Sequence, residues 1–135
     1  MTTLAALAER FATLERPAGN LLDLESVLAQ ATAAASFYAG YARITSRIPA
    51  PVEPPAVPAP MAAISGATEI SESEWALIRP LFLLYIERET ALQLEASRGM
   101  GMDVYGRSTG EVAGDITQAE AELPRLAFSS AIITI

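Results

Sequence analysis

Apolar positions recur at helical spacing along most of the chain. Residues 3 to 15, "TLAALAERFATLE", set Leu4, Leu7, Phe11 and Leu14 three and four apart, one face of an amphipathic helix. "RPAGN", residues 16 to 20, ends that run, because Pro17 and Gly19 continue a helix poorly. A second helix is predicted from near Leu22 to about Thr45. Its apolar set is Leu24, Val27, Leu28, Ala31, Ala34, Ala35, Tyr38, Tyr41 and Ile44. Asp23 and Glu25 fall in its first turn and Arg43 and Arg47 near its last, which suits the helix dipole. The short connection predicts an antiparallel hairpin.

The periodicity fails at "IPAPVEPPAVPAP", residues 48 to 60. Six of the nine prolines lie there, a density that no helix or central strand accommodates. The segment reads as a stiff, polyproline-like spacer. It is either an exposed linker or an arm laid across a neighbour, and Pro51, Pro54, Pro55 and Pro58 are the residues such an arm would bind with. "MAAISGATEI" (61 to 70) is irregular, with room for one short strand. Ser71 to Glu74 spells a capping box, S-x-x-E, that opens the next helix. From there Trp75, Ile78, Phe82, Tyr85, Ile86, Glu89 and Leu92 share a stripe that runs on to Arg98. Pro80 should kink or split it, and Gly99 and Gly101 should end it.

A second box, Ser108 to Glu111, opens a last helix over 108 to 123, with Pro124 as its stop. The chain then finishes "LAFSSAIITI". Tails are normally polar and solvated. An uncharged, β-branched ending predicts an extended, strand-like segment that pairs with its own domain or with a neighbour. Phe128, Ile132, Ile133, Thr134 and Ile135 are its candidate partner-binding residues. The fold class predicted is mainly α: a small helical bundle with a proline-rich extended arm and an extended tail. It reads as a single domain over 1–135, with a helical hairpin (1–47), the arm (48–70), a helical core (71–125) and a docking tail (126–135).

Composition narrows the chemistry. With 135 residues the chain suits one domain. The apolar fraction is 51%, but much of it is alanine, which contributes little burial per residue and so suggests surface reserved for other subunits. The chain has no cysteine and no histidine. Disulfides, zinc sites built on those ligands and a Ser-His-Asp triad are thereby excluded. All nine basic residues are arginine, and the net charge is −7. That balance argues against binding nucleic acid, which needs a basic surface, yet it suits a wall that DNA slides past. The longest uncharged run, Ser26 to Ala42, is seventeen alanine-rich residues, short of the roughly 20 stronger apolar residues of a membrane span. The N-terminus has no basic region and meets Glu9 early, unlike a secretory signal.

One stretch imitates a catalytic motif. Gly101 to Ser108 reads G-M-D-V-Y-G-R-S, one residue from the phosphate-binding loop G-x-x-x-x-G-K-[ST], with Arg107 in the lysine position. A P-loop joins a buried strand to a helix, whereas "ETALQLEASRGM" before it has helical periodicity, and Asp103 is unsuited to a phosphate nest. It reads as an interhelical loop running into a capping box. Among the acids, Glu89 lies nearest the apolar stripe, and pairing with an arginine is the expected fate of a buried carboxylate. No catalytic residue, metal or cofactor is predicted, and no enzymatic activity.

The blocks "SEWALIRPLFLLYIERETALQLEASRGMGMDVYGRSTGEVAGDI" and "AELPRLAFSSAIITI", within residues 71 to 135, resemble small virion proteins of tailed bacteriophages and prophages of high-GC proteobacteria. These look like head-tail connector, or adaptor, proteins of the neck below the portal. The resemblance implies a helical bundle forming a homo-oligomeric ring, often of twelve copies, around the DNA channel. It further implies a tail docked on the portal or another neck protein, and a place in the virion after assembly in the host cytoplasm. DNA would pass nearby without specific binding, and no membrane would be involved. Two other readings compete. One is a small bacterial scaffold or regulatory protein that binds one protein partner through the stripe from Trp75 to Leu92. The other is an enzyme using Glu89 or Glu95 with an arginine.

Overall fold

A computed structural model of the chain describes residues 1–16, 22–57, 59–97 and 108–133, and the side chains of all of these except Ser97 and residues 128–133. The fold is mainly helical, a small bundle with one two-stranded sheet. In chain order the elements are β1 (Thr2–Thr3), α1 (Leu4–Arg10) with a π-helical turn (Phe11–Glu15), and α2 (Leu24–Ala39). A 3-10 turn (Thr45–Arg47), β2 (Glu69–Ile70), α3 (Glu72–Ser97) and α4 (Thr109–Ile133) follow.

The first turn of a helix leaves backbone N–H groups without internal partners. In α1 the Ala6 N–H donates to Thr3 Oγ1 at 3.1 Å, the N-cap bond. The Leu4 and Ala5 N–H groups instead donate to the carbonyls of Thr68 and Gly66, each at 2.9 Å. β1 and β2 extend this seam as an antiparallel pair, with Thr2 opposite Ile70 and Thr3 opposite Glu69. The chain's beginning is thus fastened to the segment that leads into α3. Gly66 sits in close quarters: a Cβ there would lie 3.3 Å from Leu28 Cδ2 and 3.4 Å from Ala5 Cβ.

The π-helical turn changes the face predicted for α1. Leu4, Leu7 and Phe11 are buried as expected, but Leu14 is 79% exposed. A wider turn advances fewer degrees per residue, so by Leu14 the stripe has rotated out of register with the core. Glu15 closes this end, with Oε1 accepting from Arg79 Nη2 at 2.6 Å and Arg10 Nε at 3.7 Å from Oε2.

α2 begins at Asp23, whose Oδ1 accepts from the Ser26 N–H at 2.9 Å. It ends at Gly40, earlier than the predicted Thr45, in a turn where the Tyr41 and Ala42 N–H groups both reach the Tyr38 carbonyl. Tyr41 is consequently exposed, whereas Ile44 is fully buried on non-helical backbone. Ala31, Ala34 and Ala35 have no exposed surface at all. Small residues on that face let α1 and α3, the main neighbours of α2, approach it closely. Phe82 of α3 fills the centre, with its ring 5.3 Å from Phe11 edge to face and 5.3 Å from Trp75 at a tilt.

Pro80 and Pro124 are both carried inside helices. α3 is one unbroken helix through Pro80, and α4 runs through Pro124 to Ile133. Pro124 therefore does not stop the last helix. The extended tail predicted for 126–135 is corrected to helix as far as Ile133, while Thr134 and Ile135 lie outside the described residues. The reason is visible on either side of Pro124. Leu123 and Ala127 are both buried, continuing the seam of Val112 and Ile116 along α3. A proline inside a helix costs about 3 kcal/mol through its lost N–H and ring clash. Burial of the flanking seam offsets that cost.

These burials set expected outcomes for two substitutions. Phe82→Ala should lower stability by about 3–5 kcal/mol in urea denaturation, the usual loss for a buried aromatic. Leu14→Ala should stay within about 0.5 kcal/mol of the parent, as exposed sites do. A large loss at Leu14 would show that the π-helical turn packs against something not seen here.

Candidate interaction surface

Hydrogen bonds from two separate segments converge on the N-terminal end of α3. Its capping box forms as predicted: the Glu74 N–H donates to Ser71 Oγ at 3.2 Å, and the Ser71 N–H donates to Glu74 Oε1 at 2.9 Å. Glu74 is also 5% exposed, the buried acid of the described core, and its second oxygen is engaged across 29 residues. Oε2 accepts from the Thr45 N–H at 2.8 Å and from Thr45 Oγ1 at 3.3 Å. One carboxylate thereby joins the start of α3 to the start of the 3-10 turn. Tyr38, 5% exposed, lies close enough for burial, and then the Glu74 charge, to push its phenol above the usual tyrosine value.

The proline-rich segment is anchored beside this point. Ser46 Oγ donates to the Glu69 carbonyl at 2.6 Å, and Arg47 Nε donates to the Ala62 carbonyl at 2.8 Å. Residues 47 and 62 are held together, so the intervening stretch is a loop closed at its base rather than a free arm, an Ω-like arrangement. Its middle turns back at Pro54–Pro55, where the Ala56 N–H donates to the Glu53 carbonyl at 3.0 Å. An open hollow of about 280 Å³ lies at the base, lined by Ser46, Arg47, Ser65, Thr68 and Glu69 among others.

The predicted partner-binding residues fall as follows. Pro51, Pro54 and Pro55 are exposed on the loop, and Pro58 lies outside the described residues. Phe128, Ile132 and Ile133 are placed on the last turns of α4, with side chains outside the description, as are Thr134 and Ile135 entirely. α4 runs antiparallel to α3. Thr109 donates its N–H to Glu95 Oε1 at one end, while Leu123 and Leu126 flank Ala76, Leu77 and Pro80 at the other. The last turns of α4 therefore head toward the end where α3 begins. The loop base and the end of α4 share one end of the bundle.

The remaining candidates resolve differently. Glu89 is only half-buried, and the acid that burial selects is Glu74. Glu95 caps α4, alongside Ser108, whose Oγ accepts from the Glu111 N–H at 3.3 Å. α3 stays helical to Ser97, so a helix stands where a P-loop needs a strand; residues 101–107 lie outside the description. Tyr85 is raised by burial first and by Glu120 second, opposed by Arg88, whose guanidinium carbon lies 4.7 Å over its ring. Among the described residues no acidic group of three or more could hold a metal, and no helix is long and apolar enough to cross a membrane. Thr45 and Arg47 were not legible as site residues, because their partners lie 29 and 15 residues away. Comparison with protein-family models, with curated proteins and with solved structures finds no match for this chain.

Two outcomes follow from this junction. Glu74→Ala leaves the Thr45 and Ser71 donors without their acceptor and should cost about 2–3 kcal/mol in urea denaturation, whereas Glu74→Gln, which keeps one acceptor oxygen, should cost less. Equal losses in the two variants would mean that packing, not hydrogen bonding, sets the effect. For Tyr38 the folded pKa lies above the unfolded value of 10.0. Its contribution is therefore whole below pH 10.0 and is lost as pH rises through the folded value. Urea midpoints between pH 8 and about 11 should fall less steeply in Tyr38→Phe than in the parent.

Proposed function

We propose that the chain is a structural assembly protein that docks other proteins with one end of its bundle. The observation that carries this is the common location of the two candidate binding elements. The closed proline-rich loop and the last turns of α4 lie at the end where α3 begins, and the loop holds its apolar residues in solvent. A loop fastened at its base loses little entropy on binding, which favours docking.

Combined with the resemblance of residues 71 to 135, the reading becomes a head-tail connector protein of a tailed phage or prophage. In that role the chain would sit in the virion neck as one copy of a homo-oligomeric ring. Its partners would be the portal protein and other neck proteins, and its net charge of −7 would repel the passing DNA. The competing scaffold reading relied on the stripe from Trp75 to Leu92 as a docking surface. Ile78, Phe82, Tyr85 and Ile86 of that stripe are buried in the chain's own core, so a partner cannot reach them without unfolding it.

The test is co-expression with the portal protein of the same phage or prophage genome, followed by size-exclusion chromatography. The full chain should co-migrate with portal, and removal of residues 130–135 should abolish co-migration while leaving helix content and thermal midpoint nearly unchanged. Binding that survives the deletion would take the tail out of the interface. Failure of the intact chain to bind would overturn the connector reading.

A further inference from the structure

The proline-rich loop is fastened on each flank by contacts that do not involve the loop itself. On the incoming side Ile44 is fully buried, and the Thr45 N–H and hydroxyl are both held by Glu74. Ser46 Oγ donates to the Glu69 carbonyl on the same side. On the outgoing side Ile64 packs against the core, and the Ser65 N–H donates to Thr68 Oγ1 at 3.0 Å. The Gly66 and Thr68 carbonyls are taken by the first amides of α1. The chain is therefore fixed to the bundle as far as Ser46 and again from Ile64 onward.

Between those points little holds the segment down. Every described residue from Ala50 to Ala63 is exposed, and none of the described residues from 48 to 63 belongs to the core. Two of its hydrogen bonds are local. The Ile48 N–H donates to the Thr45 carbonyl at 3.2 Å, and the Ala56 N–H donates to the Glu53 carbonyl at 3.0 Å. Among the described residues, the bond that joins the two sides of the segment is Arg47 Nε to the Ala62 carbonyl, at 2.8 Å. Both partners line the open hollow at the loop base, where water reaches the bond.

A segment with few buried contacts and solvent-exposed hydrogen bonds opens at a much lower free energy than the core that carries it. Breaking the Arg47 bond leaves the flanking contacts in place, because none of them uses a residue from 48 to 63. The released segment does not become a limp coil either. Six prolines lie between Ile48 and Ala63. Each proline ring restricts φ to about −65°, which keeps such a chain stiff and extended.

We propose that Arg47 is a latch on this segment. With its guanidinium on the Ala62 carbonyl, residues 48–63 form a closed loop. With that bond broken, the same residues become an arm tethered at Ser46 and Ile64, on a bundle that stays folded. The closed loop and the extended arm that the proline density predicts are then two states of one segment. The latch operates in the isolated chain, so it stands or falls separately from the portal-binding reading.

The chain has no cysteine, so spin labels can be placed at chosen sites on the full-length protein. Ala29→Cys on α2 and Val57→Cys on the loop, both at exposed positions, report the distance from bundle to loop by electron paramagnetic resonance. The labelled parent should give a narrow distance distribution. Adding Arg47→Ala should widen it about twofold or more with an unchanged thermal midpoint, as for opening confined to one segment. Equal widths with and without Arg47→Ala would overturn the latch. Widening accompanied by a lowered midpoint would also overturn it, because loop and bundle would then be one cooperative unit. Urea supplies a measurement that needs no substitution at Arg47. In the labelled parent the distribution should widen at a urea concentration below that at which helix content falls. Widening that coincides with the loss of helix would overturn the proposal as well.

Discussion

The structure depends on a buried carboxylate that has donors on both of its oxygens. Glu74 accepts from the Ser71 N–H through one oxygen and from Thr45 through the other. An acid taken out of water is costly unless it is hydrogen-bonded. Here two of the donors, the Ser71 and Thr45 N–H groups, are backbone groups that would lose their acceptor without it. The start of α3, the end of the excursion after α2 and the root of the proline-rich loop are consequently fixed relative to one another by a single side chain. Removing one member of such a network leaves the others desolvated and unpaired.

The same requirement organises the rest of the chain. Each helix start exposes amides that something must accept. α1 uses the Thr68 and Gly66 carbonyls, from more than sixty residues along the chain, beside its own Thr3 cap. α2 is capped locally by Asp23. α4 borrows Glu95 from the far end of α3. Three of the four helix starts are thus tied to distant segments. The proline-rich loop is what remains between two such fastened points, and its projection from the bundle follows from the fastening of its base.

Sequence patterning made the helices and the capping residues legible, because both are local. Ser71 with Glu74 and Ser108 with Glu111 could be read from spacing alone, and so could most of the α2 and α3 core positions. The failures have a common cause. Leu14 was assigned to the core because an α-helical step was assumed where a π-helical turn intervenes. Gly40 ends α2 through a turn onto the Tyr38 carbonyl, which no apolar periodicity reveals, since Ile44 is still buried five residues beyond the last helical residue. Pro124 signalled a stop, but tertiary burial at Leu123 and Ala127 overrode it. The site suffered most. The loop's prolines were visible in the sequence, whereas its closure by Arg47 onto Ala62 and the anchoring of Thr45 on Glu74 required the fold.

The distribution of apolar residues carries the functional argument furthest. Alanine abundance suggested a thin core with apolar surface left over for other subunits. Ala31, Ala34 and Ala35 of α2 are wholly inside, where their small size permits close helix packing, while Ala29 and Ala33 of the same helix are exposed. The large apolar residues outside include Val57, Val52, Ile48 and Met61 on or beside one closed loop, together with Leu14, Leu24, Tyr41, Leu92 and Leu126 scattered over the helices and turns. Scattered exposed hydrophobes need no explanation, but a cluster held on a pre-positioned loop does. A chain that spends a buried carboxylate and two further hydrogen bonds on fixing the root of that loop keeps its apolar residues in a defined place. Definition of that sort would serve contact with another protein surface, the property that the proposed assembly role requires.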